Sequence, residues 1–159
     1  MNITIICVGK IKEKYLTDAI KEYSKRLSKY CKLNIIEVAD EKTDENASDN
    51  LNEIVKDKEG ERILKNIKDN SYIITLEIGG KMLSSEELAS KIDEITMFEN
   101  SNITFIIGGS LGLSKNISNI SNYKLSFSKM TFPHQLMRVI LLEQIYRSFR
   151  ILKNEPYHK

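Results

Sequence analysis

Two hydrophobic rhythms alternate along this chain. Short runs rich in β-branched residues, at Asn2 to Val8, Lys32 to Val38, Tyr72 to Leu76, Ile103 to Ile107 and Tyr123 to Phe127, predict strands, because such side chains suit a pleated, buried surface. Between them, apolar residues return every three or four positions, the spacing that lines one face of a helix. Leu16, Ala19, Ile20, Tyr23, Leu27 and Tyr30 form the first such face, and Leu51, Ile54, Val55, Ile63, Leu64 and Ile67 the second. Gly60 interrupts the second pattern, and the acidic stretch from Ala39 to Asn50 before it predicts a loop. Ser84 with Glu87 has the form of a capping box and opens a helix to about Phe98. Ser114 caps a short helix through Ile120, and Pro133, well suited to a helix start, opens a last helix to about Leu152. Strands alternating with helices predict an α/β fold, a mostly parallel sheet with helices on both faces, as a single domain over residues 1–159. On the last helix, Leu136, Met137, Val139, Ile140, Leu141, Leu142 and Ile145 cover more than one face. Such a helix is buried on several sides, and one sheet covers only one of them, which predicts a homodimer.

The ends of the strands carry the candidate chemistry. The run Thr104 to Ile107 breaks into Gly108-Gly109-Ser110-Leu111-Gly112-Leu113. Glycine permits positive φ and close approach of a ligand to the main chain, and ligands of open α/β sheets bind beyond the carboxyl ends of the strands. The run Tyr123 to Phe127 leads into Ser128-Lys129-Met130-Thr131-Phe132-Pro133-His134, so two loops frame one candidate pocket. Neither has the GxGxxG order of a dinucleotide site or the GK[ST] ending of a phosphate loop. An apolar, backbone-rich pocket of this kind suits an adenine held by main-chain hydrogen bonds, although a plain strand-to-helix turn also explains Gly108-Gly109. The second glycine pair, Gly79-Gly80, predicts a tight turn after the third strand.

Composition narrows the class. With 159 residues, 41% hydrophobic and 29% charged, the chain is long enough and apolar enough for a real core. Its formal charge of +2 does not announce a general nucleic-acid binder, but the charge is uneven. Residues 1–36 carry 8 basic and 3 acidic groups and residues 113–159 carry 8 and 2, whereas residues 37–61 carry 3 and 10. The basic ends are either solvated helix faces or a phosphate-facing surface. Cys7 and Cys31 lack metal-ligand spacing and the density of a secreted scaffold, so no metal is expected and a reducing cytoplasm is the natural setting. The amino-terminal apolar run is too short for a membrane span and wrongly ordered for a secretion signal.

Several polar groups stand out on the last helix and beyond it. His134 and Arg138 lie four residues apart on an otherwise apolar surface. For His134 the alternatives are helix-start packing or chemistry, and for Arg138 a buried salt bridge or dimer contact, or chemistry. Glu143 and Arg147 have the spacing of a structural ion pair. The tail Asn154-Glu155-Pro156-Tyr157-His158-Lys159 joins a rigid proline, an aromatic ring and an imidazole, and is either frayed or catalytic.

Taken in order, Val8-Gly9-Lys10, Lys58-Glu59-Gly60-Glu61, Leu76 with Gly80-Lys81, Ile107-Gly108-Gly109 with Gly112-Leu113, Thr131-Phe132-Pro133-His134, Arg138-Val139, Glu143-Gln144-Ile145-Tyr146-Arg147 and Pro156-Tyr157-His158 give the chain a nearly end-to-end resemblance. The family it resembles is RlmH of the SPOUT-class methyltransferases. The resemblance implies a carboxy-terminal trefoil knot, which periodicity does not reveal, and S-adenosylmethionine bent within the knotted loops. It further implies a homodimer with sites across its interface, and methylation of N3 of a pseudouridine in 23S ribosomal RNA, preferably in the assembled 70S ribosome. Carried over by motif, the cofactor contacts are Leu76, Gly108, Phe127, Ser128, Lys129, Met130, Thr131 and Phe132. Similar sequences often have leucine where this chain has Phe127, Met130 and Phe132. The catalytic candidates are Arg138, to stabilise negative charge on a carbonyl oxygen, Tyr157, to stack on or orient the base, and His158, to accept the N3 proton. A non-enzymatic RNA-binding dimer and a nucleotide-binding α/β enzyme are the alternatives.

Overall fold

The computed structural model describes residues 1–159. Five strands, β1 (Asn2–Val8), β2 (Lys32–Val38), β3 (Tyr72–Met82), β4 (Asn102–Ile107) and β5 (Tyr123–Ser126), form one parallel sheet in the order β2-β1-β4-β3-β5. Five helices cover it: α1 (Lys14–Leu27), α2 (Asp49–Leu64), α3 (Ser85–Glu94), α4 (Lys115–Ile120) and α5 (His134–Leu152). This is the α/β architecture that the alternating rhythms predict.

The sheet separates two cores of unequal size. On one side Ile3, Ile5, Ile103 and Phe105 meet Leu27 of α1, Leu88 and Ile92 of α3, and Leu141, Leu142 and Ile145 of α5. On the other, Ile6, Val8 and Ile106 meet Ile63 of α2 and Ile117 of α4. Successive strand residues point to opposite faces, so the unbroken apolar runs are what a sheet covered on both sides requires.

The differences from the sequence reading have local causes. Strand β3 does not turn at Gly79-Gly80. It runs to Met82 through an irregularity in which both Leu76 and Lys81 pair with Leu125, so residues 77–80 bulge out of the ladder. A Cβ on Gly80 would lie 2.6 Å from the carbonyl oxygen of Lys124, so glycine lets the strands meet after the bulge. On α2 the expected apolar stripe is partly exposed at Leu51, Ile54 and Leu64, and the buried residues are Glu59, Gly60 and Ile63. Gly60 sits where a Cβ would come within 2.6 Å of Ser114 Oγ, the atom that caps α4. Helix α3 has the expected capping box, ends at Glu94 and continues as a π-type turn over Ile95–Glu99, leaving Phe98 exposed. Strand β5 stops at Ser126, one residue before Phe127.

Candidate active site

The carboxyl ends of β3, β4 and β5 open into a cavity of about 700 Å³, within the roughly 300–1,000 Å³ common for small-molecule sites. Three loops and the start of α5 wall it. The bulge of β3 contributes Leu76, Glu77, Ile78 and Gly79, the loop after β4 contributes Ile107, Gly109, Ser110, Gly112 and Leu113, and the segment after β5 contributes Phe127, Ser128, Met130, Thr131 and Phe132. His134 and Met137 close it from the first turn of α5.

Each wall has a local reason. In the second, Gly112 has a φ of +86° and its N–H donates to the Gly109 carbonyl at 3.0 Å. A Cβ on Gly108 would meet the Gly112 carbonyl carbon at 2.8 Å, so the loop folds back tightly only with glycine there. In the third, residues 127–132 belong to no helix or strand, and no backbone carbonyl takes a hydrogen bond from their amides. Only the Met130 N–H is satisfied locally, by Ser128 Oγ at 3.0 Å. That leaves a row of main-chain groups for a ligand with a polar edge. In the first, Glu77 is held at both oxygens, which accept from Thr75 Oγ1 at 2.6 Å and Ser118 Oγ at 2.8 Å.

Of the cofactor candidates, Leu76, Phe127, Ser128, Met130, Thr131 and Phe132 line the cavity, while Gly108 and Lys129 do not. Gly108 acts on the cavity through the turn it permits. Gly109, Ser110, Gly112 and Leu113 line the cavity from the loop after β4, one of the two loops expected to frame the pocket, whereas Glu77 to Gly79, brought in by the bulge, and Met137 are lining that the sequence did not reveal. The cavity holds no lysine or arginine to answer a phosphate. Its apolar walls, free main-chain groups and serine and threonine hydroxyls fit an adenosyl group with a short polar chain.

The catalytic candidates are not gathered at this cavity. Arg138 is 2% exposed, and its guanidinium donates to Glu37 Oε2 at 2.7 Å and to the carbonyl oxygens of Val8 and Gly9 at 3.0 and 2.6 Å. In this chain Arg138 ties the start of α5 to the ends of β1 and β2. The ion pair Glu143–Arg147 forms as its spacing predicts, at 2.8 Å. Tyr157 packs edge-on against Tyr146 at 5.0 Å and donates to Glu143 Oε1 at 3.0 Å. Burial first, and the Glu143 contact second, push the Tyr157 phenol up to about 12. His158 places Nε2 2.7 Å from Glu86 Oε1 and Nδ1 3.1 Å from Arg147 Nη1. A neutral ring protonated on Nε2 satisfies both partners.

The tail therefore sits beside the far part of α5. At about 1.5 Å per residue, Arg147 lies roughly 15 Å further along the helix axis than Met137. No helix is long and apolar enough to cross a membrane, and no group of three or more histidine, cysteine or acidic side chains is placed to hold a metal. The thiols of Cys7 and Cys31 are buried, which pushes them up to about 12 and about 11 and makes poor nucleophiles of them.

Similar proteins carry the same arrangement of sequence. The family described as predicted SPOUT methyltransferase matches residues 1–158. A protein of Methanococcus maripaludis is 71% identical over 159 residues, covering all of both chains. The ribosomal RNA large subunit methyltransferase H of Clostridium beijerinckii is 65% identical over the same full lengths. Among solved structures, a probable methylase family protein from Haemophilus influenzae Rd KW20 superimposes with a TM-score of 0.58 at 14% identity, covering 99% of this chain and 70% of that one. That likeness concerns the fold.

Proposed function

This chain belongs to the SPOUT methyltransferase family, within it to the RlmH group, and on that premise we propose that it transfers a methyl group from S-adenosylmethionine to N3 of a pseudouridine in 23S ribosomal RNA. The substrate in this reading, as the family resemblance implies, is the assembled 70S ribosome in the cytoplasm, and a net charge of only +2, which gives weak binding of free RNA at physiological salt, is compatible with a need for a shaped partner. What supports the reading most is 65% identity, over the full length of both chains, to a protein named for large-subunit ribosomal RNA methylation. The cavity agrees with it in size, in main-chain polarity and in the lack of any cation for a phosphate. A non-enzymatic RNA-binding dimer would have no use for such a cavity.

In this reading Leu76, Phe127, Ser128, Met130, Thr131 and Phe132 hold the cofactor, and Gly108 shapes the loop facing them. Lys129 contributes through its backbone. When bound, S-adenosylmethionine supplies an activated methyl group on a sulfonium centre. The protein must then align the target nitrogen and remove its proton. Two copies pack through α5, whose Leu136 is exposed and whose Val139 is half-buried in one chain alone. Tyr157 and His158, too far along α5 to serve their own cavity, reach the cavity of the other copy and orient the base there. The trefoil knot belongs to the same reading, with the chain after β5 passing through the loops that bind the cofactor.

The test is transfer of labelled methyl from S-adenosylmethionine to undermethylated 70S ribosomes, with mass spectrometry locating the product. Methyl on a 23S pseudouridine is expected. A folded protein that neither binds S-adenosylmethionine nor labels ribosomes would overturn the reading in favour of an RNA-binding dimer.

A further inference from the structure

The cavity contains one ionisable side chain that has no protein partner and that the preceding roles leave unused. His134, the first residue of α5, lines the cavity beside Phe132 and Met137. Its Nε2 lies 3.8 Å from where a Cβ on Gly9 would stand, so the ring rests over the end of β1. No hydrogen bond from the protein contributes to its proton affinity, in contrast to His158, which is engaged at both nitrogens. We infer that His134 is the proton acceptor of the reaction, a catalytic residue at the cavity wall, and that His158 positions the base rather than deprotonating it. The inference rests on the methyltransferase reading above.

Three features of the fold suit His134 to that work. It is half-buried at the amino terminus of a 19-residue helix, where the exposed N–H dipoles disfavour a cation. Arg138, one turn on, is fixed in place by Glu37 and two carbonyls, so its charge stays beside the imidazole. Burial and Arg138 together hold the imidazole below its usual pKa, and only Asp40, beyond β2, pulls the other way. His134 is therefore neutral at pH 7 with a lone pair available. In the step itself, the N3–H bond of the base breaks and its proton passes to the free nitrogen of His134. The electron pair left on N3 forms the bond to the methyl carbon, and the carbon–sulfur pair stays on sulfur. The imidazolium then loses its proton to water.

The chain contains two histidines, so the test can be read directly. Nuclear magnetic resonance of the His158→Gln protein leaves one imidazole signal, expected to titrate below about 6.5. Asp40→Asn, at an exposed site, should move that titration, and the acid limb of methyl transfer with it, to still lower pH. His134→Gln should retain S-adenosylmethionine binding by calorimetry and lose about 10²-fold or more of the transfer rate. A His134→Gln protein with full rate and an unchanged acid limb would overturn the inference, as would an imidazole titrating at or above its ordinary value. Wild-type protein that transfers no methyl at all would instead overturn the methyltransferase reading.

Discussion

Glu59 is an acid almost enclosed by protein, 5% exposed on α2, where one oxygen accepts the Glu41 N–H at 3.0 Å. A Cβ on Gly109 would lie 3.2 Å from its other oxygen, so the carboxylate forms the floor under the glycine loop. Burial raises its pKa, against smaller lowering effects of the Glu41 amide and Arg62. Its folded pKa thus exceeds its unfolded one, and between the two the folded state binds more protons. Stability from this group is greatest below that window and falls as pH rises through it. Glu59→Gln keeps an acceptor for the Glu41 amide without the buried charge. It should therefore unfold at higher urea concentration than wild type at pH 7, with the gap closing near pH 4, and a gap that persists or reverses in acid would refute this account. Neither this role nor the partners of Arg138 is legible in the sequence. The place of Arg138 on an otherwise apolar helix surface offers a buried salt bridge as one reading, but Glu37 and Val8 lie 101 and 130 residues away and meet it only through the fold.

Among elements, the tail is held by a clamp that single-residue motifs do not reveal. Glu155 joins Tyr30 and Arg150, with Lys29 3.6 Å away, and Asn154 turns the chain into the clamp with a φ of +53°. The Tyr30 hydrogen bond first, and the charges of Arg150 and Lys29 next, lower the Glu155 carboxyl, so the clamp holds at neutral pH and is lost as pH falls through that lowered range. Glu155→Gln should speed hydrogen exchange over residues 154–159 severalfold at pH 7 and lower methyl transfer while leaving cofactor affinity intact. Unchanged exchange would mean that the contacts of Tyr157 with Tyr146 and Glu143, and of His158 with Glu86 and Arg147, hold the tail without the clamp. Legibility follows the same line between local and tertiary causes. Strand β1, buried on both faces from Ile3 to Val8, and the caps at Ser84 and Ser114 were readable because an unbroken apolar run and a capping pattern are written in adjacent residues. The bulge in β3 was not, because Gly79-Gly80 has the local form of a turn and only pairing of Lys81 with Leu125 extends the strand past it. The stripe on α2 misled because the helix buries Glu59, Gly60 and Ile63, with glycine admitting Ser114 of the neighbouring helix start, and leaves Leu51, Ile54 and Leu64 exposed.

At the scale of the whole molecule, the uneven charge acquires a direction. Helices α1 and α5 cover the larger core, and they belong to the two basic stretches of the chain. The acidic stretch, residues 37–61, runs through the loop after β2 and into α2 on the other face. Helix α5 and the tail lie on the same face as α1, the side through which two copies are proposed to pair and exchange tails, although Arg138, Arg147 and Arg150 of α5 are themselves paired with Glu37, Glu143 and Glu155. An isologous dimer makes both sites equivalent, each with a cavity from one copy and a tail from the other. This arrangement can be separated from one in which each copy serves itself. Gly79→Trp enlarges a residue that lines the cavity and whose added Cβ meets no atom within 4 Å, so it should block cofactor binding without disturbing the core. Tyr157→Ala removes the tail's ring, and each variant alone should be inactive. Mixed and allowed to exchange subunits, half of the dimers combine one intact cavity with one intact tail, and about a quarter of wild-type transfer should return. Native mass spectrometry, which resolves the two variants by mass, would verify that mixed dimers form. Recovery near zero in verified mixed dimers would mean that each tail serves its own cavity, which would require it to leave Glu86, Arg147 and Glu143 and fold back along most of α5.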